Sequence, residues 1–165
     1  MSTFESTLSL ADHYHEHGFA VLEKCLSTET VARFVELTNS ARETCGSESA
    51  VANSAGVYAL RNLTDVVPET TELVRNPAVQ EIVEAILGPN AFLIRSTLFD
   101  KTDGANWGVF WHQDLSIAVE QRNDVAGFHA SSPMERSGHR RVIHFEFAAF
   151  ELPSPLNWRF QIPCA

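Results

Sequence analysis

The sequence predicts an α+β domain, and three observations carry that reading. Apolar residues recur at helical spacing through much of the first half of the chain. Period-two alternation takes over in the second half. Turn formers such as Asp103-Gly104-Ala105-Asn106 then divide that half into short strands. Helices first and antiparallel strands later, with no linker-like stretch between them, make residues 1–165 one expected domain.

The elements follow in order. Leu10 to His17 suits a short helix stopped by Gly18, and Phe19 to Leu26 alternates apolar and polar residues like a strand. Ser27 or Thr28 can cap a helix reaching about Thr44, with Glu29 in its first turn and Val31, Phe34, Val35 and Leu37 as its apolar stripe. Gly46 to Gly56 is small and polar, and reads as a loop. Asn76-Pro77 opens the clearest helix, because Asn caps well and Pro fits the first turn, and Gly88-Pro89 ends it. Val79, Ile82, Val83, Ile86 and Leu87 form its inward face. Ala91 to Phe99 is β-rich, and Gly108 to Val119 reads as a strand carrying Trp-His-Gln-Asp. Asn123 to Gly127 is a turn, and His129 begins a further short segment. Arg140 to Phe147 alternates cleanly, and the Pro-interrupted Leu152 to Phe160 suits a final edge strand.

Composition narrows the function classes. Apolar residues make up 44% and charged residues 20%, which is ordinary for a packed domain. A net charge of −9 disfavours nucleic acid or an anionic membrane surface as partner. Cys25, Cys45 and Cys164 have no close pairing, which suits free thiols in a reducing compartment. With a polar start and no apolar run of membrane length, a cytoplasmic location is expected.

The chemistry concentrates at His112-Gln113-Asp114. Residues two apart on a strand share a face, so His112 and Asp114 can offer an imidazole and a carboxylate to one divalent metal. A further His from elsewhere would complete the two-His-one-carboxylate set of non-haem Fe(II) oxygenases, which leaves positions open for a cosubstrate and O₂. Other histidines fit less well. His13, His15 and His17 read as surface residues, of which His13 and His17 share a face if helical. His139 and His144 read as structural or pocket-lining. No phosphate loop, nucleophile elbow or zinc-binding helix motif is present.

Several stretches together resemble the phytanoyl-CoA dioxygenase family. They are His15-Glu16-His17-Gly18-Phe19-Ala20-Val21-Leu22, the helix before Gly88-Pro89, the strand reaching Lys101, and Trp111-His112-Gln113-Asp114-Leu115. His129-Ala130-Ser131-Ser132-Pro133, Arg140-Arg141-Val142-Ile143-His144, Leu152-Pro153 and Trp158 follow in the family's order. The resemblance implies a double-stranded β-helix (jelly-roll, cupin-like) with N-terminal helices on one sheet. It also implies Fe(II), 2-oxoglutarate as cosubstrate, and hydroxylation of a small organic substrate with O₂, giving succinate and CO₂. Carried over by position, His129 is the distal iron ligand, Arg140 binds the far carboxylate of 2-oxoglutarate, and Ser131 can hydrogen-bond the same carboxylate. Arg141 is the alternative to Arg140. On that strand Arg140, Val142 and His144 share the face assigned to the site, and Arg141, Ile143, Phe145 and Phe147 share the packing face.

One departure matters. His129 follows Asp114 by only fifteen positions, where the family carries several more strands. Four middle strands are therefore expected to be missing and the core incomplete, with Leu115 to Phe128 serving as a long hairpin link. This leaves two expectations: a working oxygenase, or a catalytically weak or inactive shortened homologue that binds metal or a partner. Exposed strand edges make self-association the expected partner mode.

Overall fold

The computed structural model describes residues 7–114 and 127–163, and the side chains of 11–110 and 131–163 among them. Two antiparallel sheets and five α-helices make up the described part.

Helix α1 (Thr7–His17) ends at Gly18, whose φ of 78° favours glycine. Helix α2 (Thr28–Thr44) starts where Ser27 Oγ accepts the Thr30 N–H at 3.0 Å, so Ser27 is the cap and Thr28 the first helical residue. It buries Phe34, Thr38 and Ala41, while Val31 of the expected stripe is largely exposed. Thr38 is tolerated in the core because its hydroxyl donates to the carbonyls of Phe34 and Val35.

Three expectations are corrected here. Phe19 to Leu26 forms no strand, and Phe19 and Val21 are solvent-exposed. Alternation alone cannot make a strand where no neighbouring ladder accepts its hydrogen bonds. Gly46 to Gly56 is not all loop: β1 (Ala50–Asn53) pairs with β2 (Gly56–Arg61) in a hairpin, in which Asn53 Oδ1 accepts the Ala55 N–H at 2.8 Å. Leu152 to Phe160 is irregular, and the last strand is the short β7 (Ile162–Pro163).

Short helices α3 (Leu63–Val66) and α4 (Thr71–Val74), joined by a 3-10 turn, lead to α5 (Pro77–Leu87). Asn76 Oδ1 caps α5 through the Ala78 N–H at 3.0 Å, and Gly88 with φ 87° closes it, as predicted. Its apolar face is only half-buried, because it meets α1 and α4 rather than the centre of the sheet.

Strands β3 (Phe92–Thr102), β4 (Val109–Asp114), β5 (Gly127–Ser131) and β6 (His139–Ala148) complete the fold. The larger sheet runs β1-β2-β3-β6, with β7 beside the start of β3, and β4 pairs with β5 in a separate ribbon. The expected strand beyond Asp114, the turn at Asn123 to Gly127 and most of the link Leu115 to Phe128 lie outside the described residues, as do Met1 to Glu5 and Cys164.

The helical side of the larger sheet holds the main core of Ala41, Leu60, Leu63, Val67 and Leu98. Burying leucines this fully contributes about 1.5–3 kcal/mol each. A charged anchor sits in the same layer. Asp100 is completely buried, and its carboxylate accepts from Arg42 Nη1 at 2.8 Å, Arg141 Nε at 3.0 Å and the His139 ring at 2.9 Å. Arg42 also donates to the Val57 carbonyl and Arg141 to Asn39 Oδ1, which ties α2 to β2, β3 and β6. No helix among the described residues is long and apolar enough to cross a membrane.

Candidate metal and carboxylate site

The β4–β5 ribbon brings the histidines together in sequence register. His112 is the direct cross-strand partner of His129, and Asp114, two positions along β4, is the partner of Gly127. Opposed residues on antiparallel strands and positions two apart on one strand lie on the same face of a ribbon. Positions 112, 114 and 129 therefore occupy one face, within seventeen positions of chain. Their side chains lie outside the described ones, and so do those of Gln113 and Phe128. Among the residues whose side chains are described, no three His, Cys, Asp or Glu gather in a way that could hold a metal ion.

The ribbon meets the larger sheet at its Val109–Ser131 end. There the open face of β3 and β6 forms the floor of a cavity of about 480 Å³. The floor is a ladder of cross-strand pairs: Lys101 with Arg140, Phe99 with Val142, Thr97 with His144, and Arg95 with Glu146. The strand alternation thus divides β6 as predicted. Arg140, Val142 and His144 face the cavity, while Arg141, Ile143 and Phe145 line the space against α2 on the other side.

That division also separates the two arginines. Arg141 is committed to Asp100 and Asn39 behind the sheet. Arg140 donates from Nη2 to Ser131 Oγ at 3.2 Å and to the Ser132 carbonyl at 2.6 Å. Arg140 and Ser131, two of the residues singled out from sequence, are therefore in contact at the cavity end.

A third group there went unassigned in the sequence. Lys101 is a buried residue whose Nζ donates to the Trp107 carbonyl at 2.7 Å, Ser131 Oγ at 2.9 Å and the Ser132 carbonyl at 2.7 Å, and lies 5.0 Å from the Trp107 ring centre. Burial, and then the neighbouring Arg140 charge, pull its pKa below the ordinary lysine range. Two cations converge on one hydroxyl with no carboxylate bound to Lys101 among the described residues, an arrangement that suits an incoming anion. The signal available was register: a Lys on the apolar-alternating β3, one face with Thr97 and Phe99, has to be buried or bound.

The remaining histidines fall as read. His13 and His17 stack at 4.2 Å on the exposed face of α1, His139 is structural on Asp100, and His144 lines the cavity.

The sequence profile of the phytanoyl-CoA dioxygenase family matches residues 14–150. No curated protein sequence matches the chain. Among solved structures, EctD from S. alaskensis with bound Fe is similar at a TM-score of 0.58 and 17% identity, covering 69% of this chain and 43% of its own. SnoK, a non-haem alpha ketoglutarate-dependent carbocyclase from nogalamycin biosynthesis, is similar at 0.58 and 19% identity, covering 71% and 46%. AviO1 from Streptomyces viridochromogenes Tue57 gives 0.63 at 15% identity, covering 89% of this chain and 96% of its own. At these identities the likeness concerns the fold, which is the double-stranded β-helix type with helices on one sheet and a shortened core. The chain spans less than half the length of EctD and SnoK.

Proposed function

The chain belongs to the phytanoyl-CoA dioxygenase family, and on that premise we propose that it is a non-haem Fe(II)/2-oxoglutarate-dependent dioxygenase that hydroxylates a small organic substrate. The observation that carries the reading is the register pairing of His112 with His129, beside Asp114, on the ribbon that ends at the Lys101–Arg140 cation pair. EctD has been crystallised with Fe and with 2-oxoglutarate and 5-hydroxyectoine, which supports iron and this cosubstrate for the fold.

His112, Asp114 and His129 would hold the iron. Two imidazoles and one carboxylate are the donor set that Fe(II) takes while keeping positions open. Iron held there would supply oxidation of substrate by O₂ at the expense of 2-oxoglutarate, which loses its 1-carboxylate as CO₂, one oxygen atom of O₂ going to succinate and one to the hydroxylated product. The protein's own part is positioning. Arg140 and Lys101 bind the far carboxylate of 2-oxoglutarate, and Ser131 Oγ, already within reach of both cations, orients it. Thr97, Phe99 and Val142 line the floor beyond and give it an apolar surface.

The test is succinate production from 2-oxoglutarate by protein reconstituted with Fe(II), against the same protein without iron. Iron-dependent succinate is expected, at a slow rate and in excess of substrate hydroxylated, because a core with fewer strands covers the site less and lets oxidation escape from it. One succinate per hydroxylation at ordinary enzymatic rates would show that the shortened core is tolerated. The narrow β4–β5 ribbon favours a second reading, an inactive homologue that keeps binding alone. Iron and 2-oxoglutarate binding with no succinate would establish it.

Two further outcomes follow. Arg140→Ala should weaken 2-oxoglutarate binding by about 2–5 kcal/mol, the cost of a lost charge-assisted contact in a desolvated site, while iron affinity holds. Calorimetry on iron-loaded protein measures both, and unchanged 2-oxoglutarate affinity would remove Arg140 from the role. Among the described residues β6 pairs only with β3, so its outer edge offers free backbone groups. Self-association is the expected result in light scattering, and a stable monomer that melts cooperatively would contradict it.

A further inference from the structure

Two cavities on the open face of the larger sheet share a wall made by Arg95, Thr97, Phe99 and Trp107. The first is the one that ends at Lys101 and Arg140. The second, about 620 Å³, reaches across β2 to the C-terminal segment and brings in Arg61 and Arg159. The two together collect five of the chain's twelve Lys and Arg residues, namely Arg61, Arg95, Lys101, Arg140 and Arg159. Only Glu48 and Glu146 oppose them among the lining residues, and Glu146 is already taken by Arg95 at 2.9 Å. A protein of net charge −9 thus carries a positive groove on one face. Clefts lined by one sign of charge concentrate ligands of the other.

Register orders the groove. Arg61 is the cross-strand partner of Thr97, which in turn pairs with His144, and Ala59 pairs with Phe99, which pairs with Val142. Arg61 therefore stands four residues along β3 from the Lys101 row, a distance of about 13 Å at the usual strand rise. The five-carbon backbone of 2-oxoglutarate is too short to serve both ends. Between them the floor is apolar and open to solvent, with Phe99 36% and Val142 49% exposed. Neither Arg61 nor Arg159 has a carboxylate partner among the described residues, and the Arg159 guanidinium rests over the Phe160 ring at 5.4 Å.

We propose that the primary substrate is an amphipathic organic anion, a carboxylate or a phosphate, whose acid group is held by Arg61 and Arg159 while its apolar body lies over Phe99 and Val142. This rests on the oxygenase reading, which assigns Lys101 and Arg140 to 2-oxoglutarate. Arginine suits the distal role because its planar fork accepts either acid group bidentately.

The probes are octanoate, octyl phosphate and the neutral octanamide, titrated by calorimetry into protein with excess 2-oxoglutarate present. At least one acid is expected to bind about tenfold or more tightly than octanamide, the margin of one charge-assisted hydrogen bond. The tighter acid identifies the group the groove takes. The double variant R61Q/R159Q, altered at two exposed side chains, should bring the acid down to octanamide's affinity and leave both the melt and 2-oxoglutarate binding unchanged. Added salt should weaken the acid in the wild type alone. Equal binding of octanamide, full acid affinity in the double variant, or no binding of any probe overturns the proposal. Arginine-dependent acid binding in protein that does not take up 2-oxoglutarate supports the anion groove and removes the cosubstrate reading instead.

Discussion

Asp114→Ala is expected to abolish iron binding. On the proposed ligand set Asp114 is the one anionic donor, and two neutral imidazoles alone leave the metal's charge uncompensated. Equilibrium dialysis with Fe(II) under anaerobic conditions measures this directly, and wild-type affinity in the variant would remove Asp114 from the set. His112→Ala and His129→Ala should weaken iron binding together, because the two positions are direct cross-strand partners. The fold should survive all three changes, since these positions lie on the ribbon, away from the main core beneath α2.

Asp100→Ala should have the largest effect on stability, about 3–5 kcal/mol, because it leaves two arginines buried against the sheet without their counter-ion. Side chains of Arg42 and Arg141 are only 20% and 17% exposed, so neither can turn fully to water without releasing α2. Denaturant unfolding gives the number, and a loss under about 1 kcal/mol would show that the cluster is solvated in solution. Asp100→Asn should fall between, as it keeps acceptors but loses the charge. Arg141→Ala provides the contrast with Arg140→Ala: it should destabilise the fold and spare 2-oxoglutarate affinity, since Arg141 lies on the opposite face of β6.

The parts of this fold that were legible in the sequence are those specified locally. Ser27 and Asn76 as caps, Gly18 and Gly88 as stops, and the alternation of β6 each follow from a few adjacent residues. The β6 alternation carries the most, because it alone sets Arg140 and Arg141 on opposite faces. What was missed depends on partners distant in the chain. Phe19 to Leu26 has strand-like alternation and no ladder to join, whereas the small residues Ala50 to Asn53 become a strand because β2 pairs with them. Asp100 and Lys101 lie beyond Phe99, where the expected strand ends, but within β3. Their roles arise because adjacent strand residues face opposite ways, one to Arg42, Arg141 and His139, the other to Ser131 and Trp107. Of the proposed ligands, His112 and Asp114 share a face by their two-residue spacing, whereas His129 follows only from the family resemblance, and the β4–β5 register sets it opposite His112 across fourteen residues from Asp114.

The central claim is that this shortened chain binds Fe(II) and 2-oxoglutarate at one site. Anaerobic titration of the protein with Fe(II), then 2-oxoglutarate, followed by visible absorption, tests it most directly. A metal-to-ligand charge-transfer band should grow only when both are present, saturate at one equivalent of iron, and vanish in Asp114→Ala. A protein that remains folded and shows no band at saturating iron and 2-oxoglutarate would contradict the account.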